Sequence, residues 1–265
     1  MPRLAIGDRV VSYEDYGVGP VVMLVHGSPG NARAWQRVGE RLADRHRVVA
    51  PDLPGHGDTT AQPAGAIPDV GYSATLVESL IESVGRPAIL VGHSYGGVVA
   101  LAVALRGRAP IGALVLLEPV AVQALSLAGD EAVHTRARAL FEGYIADVEA
   151  GDPTRVAIMV DFWFGPGAYA GMAEPQRAYM VREAAANIRD VRGTLREDYP
   201  AAALRSLAVP VTVIVGGRSP EATWTIARTL TAHVGKGSLV RLDDADHAMI
   251  STHGPALARI LAGLT

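Results

Sequence analysis

One serine of the chain, Ser94, has the sequence surroundings of a nucleophile. It lies in the run Gly92-His93-Ser94-Tyr95-Gly96-Gly97, between an apolar segment that predicts a strand (residues 88–91) and a small-residue segment that predicts a helix (residues 98–105). A nucleophilic serine on such a strand-to-helix turn needs glycine two residues before and after it, because larger side chains would clash there. The helix that follows directs the positive end of its dipole at the charge that develops. The alternative is a glycine-rich turn with an unreactive serine.

The order of motifs resembles that of the α/β-hydrolase family over nearly the whole chain. His26-Gly27-Ser28-Pro29-Gly30 is similar to the family's oxyanion loop, and Asp52-Leu53-Pro54-Gly55-His56-Gly57 resembles the loop after its fourth strand. The segment Asp161-Phe162-Trp163-Phe164-Gly165-Pro166-Gly167-Ala168-Tyr169 looks like a cap signature of a group of bacterial members. The resemblance implies an α/β fold with a mostly parallel, eight-stranded sheet and a helical cap inserted after the sixth strand.

The resemblance also implies where the catalytic base lies. In this family a histidine on the loop after the last strand takes that role, and here that residue is His247. His253 comes six residues later, at the expected start of a helix, where a histidine is more often structural. His26 and His56 lie in loop motifs whose histidines usually brace the turn. We therefore predict that His247 is the base.

Two backbone N–H groups are implied as the oxyanion hole, those of Tyr95 and Ser28. The alternative for Ser28-Pro29-Gly30 is a plain connecting turn. Trp163 and Tyr169 are candidates for the wall of an acyl pocket under the cap, because pockets of this fold tend to form there. The alternative for both aromatic residues is ordinary core packing.

The acid beside the histidine is displaced in this chain. Most members of the family carry an aspartate shortly after the seventh strand, where this chain has Ser219. Ser219-Pro220-Glu221 instead predicts a helix start with the serine as N-cap. The resemblance implies a second position for the acid, at the end of the sixth strand, which also points at the histidine. Glu118 occupies that position, and we predict that it is the acid, because a carboxylate ending a buried strand needs a partner and the N–H of His247 would be a suitable one. The alternatives are a purely structural glutamate, no acid at all, or another carboxylate: Glu221, Asp243, Asp244 or Asp246.

Strands and helices alternate regularly on either side of one long helical stretch. The apolar patterns predict strands at 10–16, 21–25, 47–51, 88–91, 111–117, 211–215 and 238–242, and helices at 31–44, 70–84, 98–105, 221–232 and 256–264. Gly85-Arg86-Pro87 is expected to end the second of these helices. Such alternation predicts parallel strands. We expect a core of residues 1–118 and 205–265 with the helical cap at residues 119–204.

Composition excludes several classes of function. With 49% hydrophobic and 19% charged residues, the chain can form a large buried core. A net charge of -3 without runs of like charge argues against a nucleic-acid or polybasic membrane surface. The absence of cysteine excludes disulfides and thiolate chemistry. Without a recognisable signal peptide or an apolar run of membrane-spanning length, the prediction is a cytoplasmic protein.

These residues together predict a serine hydrolase that cleaves a small-molecule carboxylic ester, thioester or lactone through an acyl-enzyme. The expected partner is that acyl substrate, and the chemistry needs no metal or organic cofactor. A cofactor-free lyase or perhydrolase on the same residues is one alternative. A low-turnover binding protein is another, supported by the missing aspartate. A haloalkane dehalogenase or epoxide hydrolase would need aspartate at the position of Ser94.

Overall fold

The sheet of this protein is built from eight strands. The computed structural model describes residues 1–63, 65–84, 88–129 and 131–264. The strands are β1 (Arg3–Ile6), β2 (Arg9–Tyr16), β3 (Val21–Val25), β4 (Arg47–Pro51), β5 (Ala88–His93), β6 (Ile111–Leu117), β7 (Val211–Gly216) and β8 (Gly237–Leu242). They lie in the order β1-β2-β4-β3-β5-β6-β7-β8. β2 is antiparallel to its neighbours β1 and β4, and every pair from β4 to β8 is parallel.

The helices of the core cover both faces of this sheet. They are α1 (Gln36–Leu42), α2 (Val70–Val84), α3 (Tyr95–Arg106), α9 (Glu221–His233), α10 (Met249–Thr252) and α11 (Gly254–Ala262). Before α1, a 3-10 turn at Ala32–Trp35 occupies the start of the predicted helix, and Asn31 caps it by accepting a hydrogen bond from the N–H of Arg33 at 3.0 Å. Gly85-Arg86-Pro87, expected to end α2, lies outside the described residues.

A helical insertion follows β6. It contains α4 (Glu131–Glu149), α5 (Val156–Phe164), α6 (Ala168–Gly171), α7 (Glu174–Thr194) and α8 (Ala201–Arg205), together with 3-10 turns at Val122–Ala128 and Pro153–Arg155. We call α4 to α8 the inserted helices. α7 packs against α4 within the insertion and against α2 and α3 of the core. No described helix is both long enough and apolar enough to span a lipid bilayer.

The core follows from the strand pattern. All five residues of β3 are buried, because this strand is covered on both faces, as in parallel sheets flanked by helices. Val21, Met23 and Val25 pack on the face of α2 and α3, whereas Val22 and Leu24 pack on the face of α1 and α11. The sheet therefore packs between two apolar layers, and this packing positions the loops at the carboxyl ends of its strands.

Candidate active site

Ser94 lies on the sharp turn between β5 and α3, which we call the elbow. Its backbone has φ 55° and ψ -123°, a conformation that residues other than glycine rarely adopt. A Cβ on Gly92 would lie 2.2 Å from the carbonyl oxygen of Gly96, and a Cβ on Gly96 would lie 2.3 Å from the carbonyl oxygen of Val25. The two glycines are thus required for different reasons, since one faces the first turn of α3 and the other faces the end of β3.

The hydroxyl of Ser94 meets His247, which follows β8. Ser94 Oγ donates to His247 Nε2 across 3.1 Å, and both residues are buried. His93, beside the serine, donates from its Nε2 to the backbone carbonyl of His247 at 2.9 Å. Burial and the neighbouring His247 lower the pKa of His93 to about 3, so this ring is neutral. His93 therefore fixes the loop that carries His247.

Glu118 lies on the other side of the imidazole and is fully buried. His247 Nδ1 donates to Glu118 Oε2 at 2.7 Å, while Oε1 accepts from the N–H of Gly216 at 2.7 Å and from Ser219 Oγ at 2.5 Å. The backbone of Glu118 has φ 42°. The prediction that Ser219 is a helix N-cap is wrong: Pro220 takes that position, and the serine hydroxyl is used by the carboxylate.

The four other candidate acids have partners elsewhere. Glu221 pairs with Arg228, Asp243 with Arg241, and Asp244 with Arg218, all as exposed ion pairs. Asp246 Oδ1 accepts from the N–H of Ala248 at 2.9 Å, within its own loop. Of the five carboxylates considered, Glu118 is the one that the fold brings to His247.

The remaining histidines of the motifs have structural partners. His26 accepts from the N–H of Leu53 at 2.9 Å and donates to its neighbouring carbonyl, and burial and then the nearby His56 lower its pKa to about 3. His56 donates to Asp190 of α7 at 2.8 Å. His253 is the N-cap residue of α11, and its Nδ1 lies 2.8 Å from Thr252 Oγ1.

The loop that carries Ser28 is hydrogen-bonded to the inserted helices through the side chain of Asn187. Asn187 of α7 donates from Nδ2 to Ser28 Oγ at 3.0 Å, and its Oδ1 accepts from the hydroxyl of Tyr144 of α4 at 2.9 Å. Ser28 and Tyr95 both line the cavity that contains Ser94. The assignment of their N–H groups to an oxyanion remains a prediction.

Two cavities meet at Ser94. One of about 350 Å³ lies between the elbow and the inserted helices, and its wall is formed by Ser28, Ser94, Tyr95, Val120, Val122, Phe141, Met159, Trp163, Asn187, Asp190, Val191, Thr194 and Leu195. The other, of about 650 Å³, passes His247 and the loop at Gly27. We call them the inner and outer cavity. Trp163 lines both and stacks on His247 with 5.9 Å between ring centroids, whereas Tyr169 lines neither.

The family model described as "Alpha/beta hydrolase family" matches residues 22–260. The chain belongs to this family. It is 31% identical to a pimeloyl-[acyl-carrier protein] methyl ester esterase of Methylococcus capsulatus, over 94% of this chain and 95% of the relative. A fluoroacetate dehalogenase of a Burkholderia species is 31% identical over 57% of this chain and 50% of its own length.

The solved structure of an esterase from Exiguobacterium antarcticum has the same fold. It superimposes with a TM-score of 0.76 and 19% identity, covering 96% of this chain and 95% of the esterase. At that identity the likeness is one of fold. The predicted fold class, an α/β-hydrolase with a mostly parallel eight-stranded sheet, is confirmed by this match and by the family model.

The sequence prediction missed the polar face of α7. Asn187, Asp190 and Thr194 stand three and four residues apart, so they lie on one side of the helix, and all three line the inner cavity. The spacing of these three polar residues was the available signal, but the sequence does not show that they are buried. The signal was hidden because the neighbouring arginines and glutamates make α7 resemble an ordinary surface helix.

Proposed function

We propose that this α/β-hydrolase is a serine hydrolase that cleaves a small-molecule carboxylic ester, thioester or lactone through an acyl-enzyme. The observation that supports this most strongly is the continuous hydrogen-bonded row Ser94–His247–Glu118, in a buried setting at the floor of two cavities. Its members come from the ends of three different strands. Such a row has the geometry of a nucleophile, a base and an orienting acid.

Acylation begins when Ser94 Oγ attacks the carbonyl carbon while its proton moves to His247 Nε2. The imidazolium so formed keeps its Nδ1 proton, which it donates to Glu118, and the carboxylate stabilises the positive charge. The carbonyl oxygen becomes negative and accepts from the N–H groups of Ser28 and Tyr95. When the bond to the leaving group breaks, His247 Nε2 returns the proton to the departing oxygen or sulfur.

Deacylation reverses these roles with water. A water molecule loses a proton to His247 Nε2 as its oxygen attacks the acyl carbon. The same two N–H groups bind the second oxyanion. Collapse of this intermediate releases the carboxylic acid, and Ser94 Oγ regains its proton from the imidazolium. The net reaction is hydrolysis of the acyl bond, with Ser94 and His247 returned to their starting protonation states.

The nucleophile itself favours acyl substrates over alkyl halides, although one relative is named a dehalogenase. Displacement of a halide by the hydroxyl of Ser94 would leave an ether, which water does not cleave under the same catalysis. An acyl group gives an ester, which the same histidine can hydrolyse. The name of the Methylococcus capsulatus relative, a methyl ester esterase, supports this choice.

We further propose that residues 119–204 act as a cap. α5 contributes Met159 and Trp163, and α7 contributes Asn187 and Thr194, to the wall opposite the elbow. Because the inner cavity is closed on one side by these helices, their side chains set the shape available to the acyl group.

Labelling with a fluorophosphonate tests this proposal. The probe should add once, and peptide mass spectrometry should place it on Ser94, with no adduct in Ser94→Ala. Hydrolysis of nitrophenyl esters of graded chain length should disappear in the same variant. A folded protein with no adduct and no hydrolysis of any ester, thioester or lactone would instead indicate a binding protein.

A further inference from the structure

One side of the inner cavity is polar, although the proposed acyl chemistry does not need it. Asp190 and Thr194 stand one helical turn apart on α7 and both face this cavity. Side chains at this spacing have Cβ atoms about 5–6 Å apart. The walls beside them, which include Val122, Phe141 and Leu195, are apolar. A plain alkyl chain would fit those walls but would give neither polar group a further hydrogen bond.

The hydroxyl of Thr194 is the first of these two polar groups. The residue is only 4% exposed, and its Oγ1 has no hydrogen-bond partner among the described residues. A buried hydroxyl normally finds a partner, because desolvation without a hydrogen bond is unfavourable. A hydroxyl both donates and accepts, so its natural partner is a ligand group that does the same.

Asp190 supplies the second group. Its Oδ2 accepts from His56 at 2.8 Å, which anchors α7 to the loop after β4. The hydroxyl of Tyr95 also interacts with this carboxylate. A carboxylate has about four acceptor sites, so these two neighbours leave capacity for a ligand. Asn187, one turn earlier, differs because both ends of its amide are occupied, by Tyr144 and Ser28. The polar patch open to a ligand is therefore formed by Asp190 and Thr194.

We infer that the inner cavity binds an acyl chain that carries a hydroxyl group, which donates to Asp190 and accepts from Thr194. This rests on the proposed function. A hydroxyl located between two groups one helical turn apart can reach both at ordinary hydrogen-bond lengths. A carboxylate at this place would meet the negative charge of Asp190. A methyl group would leave Thr194 Oγ1 unpaired, as it is without a ligand.

The test uses pairs of methyl esters that differ only at the end of the acyl chain. Straight-chain ω-hydroxy esters of three to six carbons are each compared with the alkanoate in which a methyl replaces the hydroxyl. Acid release is followed with a pH indicator, and spontaneous lactone formation is subtracted with an enzyme-free blank. We expect kcat/KM to favour the hydroxy ester by about tenfold or more for at least one chain length.

Substitutions at Thr194 locate the effect. The preference ratio is kcat/KM for the hydroxy ester divided by kcat/KM for the matching alkanoate. It should fall to near one in Thr194→Val and should persist in Thr194→Ser, which keeps the hydroxyl. Thr223→Val is the matched control, because Thr223 also has a buried, unpartnered Oγ1 but lies on α9 and lines neither cavity. Its ratio should equal that of the wild type.

The outcomes separate this inference from the proposed function. If the alkanoates are hydrolysed by Ser94 but no pair shows a preference, or if Thr194→Val keeps the preference, the hydroxyl site is refuted and the hydrolase remains. If no ester reacts and no fluorophosphonate adduct forms, the proposed function fails. In that case, calorimetry with the Ser94→Ala variant measures its affinity for each ω-hydroxy acid and for the matching alkanoic acid. A preference of about tenfold for the hydroxy acid would support the hydroxyl site, and equal affinities would refute it.

Discussion

Replacement of Glu118 by glutamine tests the proposed acid with almost no change in shape. In the wild type, Oε1 accepts two hydrogen bonds, from Gly216 N–H and Ser219 Oγ, and Oε2 accepts the Nδ1 proton of His247. A glutamine that keeps its oxygen toward Gly216 turns its NH₂ toward the imidazole. His247 must then carry its proton on Nε2, where it faces Ser94 and cannot accept the hydroxyl proton.

The opposite orientation of the amide is no better. The glutamine oxygen would then face His247, but its NH₂ would meet the N–H of Gly216, so two donors would lie within 3 Å in a fully buried place. In either orientation the negative charge that stabilises the imidazolium is lost. We expect kcat to fall by about 10³ to 10⁴, equal to roughly 4–5.5 kcal/mol of barrier.

The assay is steady-state hydrolysis of a nitrophenyl ester, with folding checked by circular dichroism. Glu221→Gln is the control, because it removes a carboxylate from an exposed ion pair and should leave kcat within about twofold. If folded Glu118→Gln keeps near-normal turnover, the carboxylate does not act through His247. If one of Asp243, Asp244 or Asp246 proves essential instead, the acid has been assigned to the wrong residue.

Three further predictions concern the catalytic row and the half-buried carboxyl group of Glu197. Ser94→Ala and His247→Ala should each lower kcat by about 10⁴ or more, and the double variant should lose little beyond either single one, because the pair acts as a unit; additive losses would contradict this. When Ser219→Asp is added to Glu118→Gln, it should restore part of the lost kcat, because Ser219 Oγ already lies 2.5 Å from the Glu118 carboxylate in the wild type. A folded double variant no faster than Glu118→Gln would show that the new carboxylate does not reach the imidazole. Burial raises the pKa of Glu197 to about 7, so its contribution to stability is present at low pH and is lost as the pH rises through 7. Glu197→Gln should therefore stabilise the protein at pH 8 by about 1 kcal/mol, allowing for solvent screening of this half-buried group, and by little at pH 4; thermal melts that show equal shifts at both pH values would refute it.

Local patterns explain why most of the sheet could be predicted from the sequence. The strands that are apolar on both faces, such as β3 and β6, are continuous apolar runs rich in Val and Leu, which are typical of buried parallel strands. β1 was missed because it has only four residues, alternates between exposed and half-buried positions, and pairs at the edge of the sheet. A strand of that kind depends on its partner rather than on its own sequence.

In the site, residues whose role depends on sequence neighbours could be predicted, and residues whose role depends on distant parts of the chain could not. The elbow could be predicted because its glycines are dictated by clashes within a few residues of Ser94 and at one neighbouring strand end. Ser219 was misinterpreted because its sequence neighbours favour an N-cap, whereas a carboxylate 101 residues away takes its hydroxyl. The polar patch of α7 was missed because only the packing of α7 over the elbow turns Asp190 and Thr194 into cavity residues.

The adjacency of β6 and β7 has a consequence for how such sites change during evolution. These strands are parallel neighbours, and the residues at their ends, Glu118 and Ser219, already share a hydrogen bond. A lineage could therefore move its acid from one strand to the other through an intermediate that holds both, without an inactive ancestor. A family member that lacks the aspartate after its seventh strand should accordingly be inspected at the end of its sixth before it is counted as a degenerate, non-catalytic descendant.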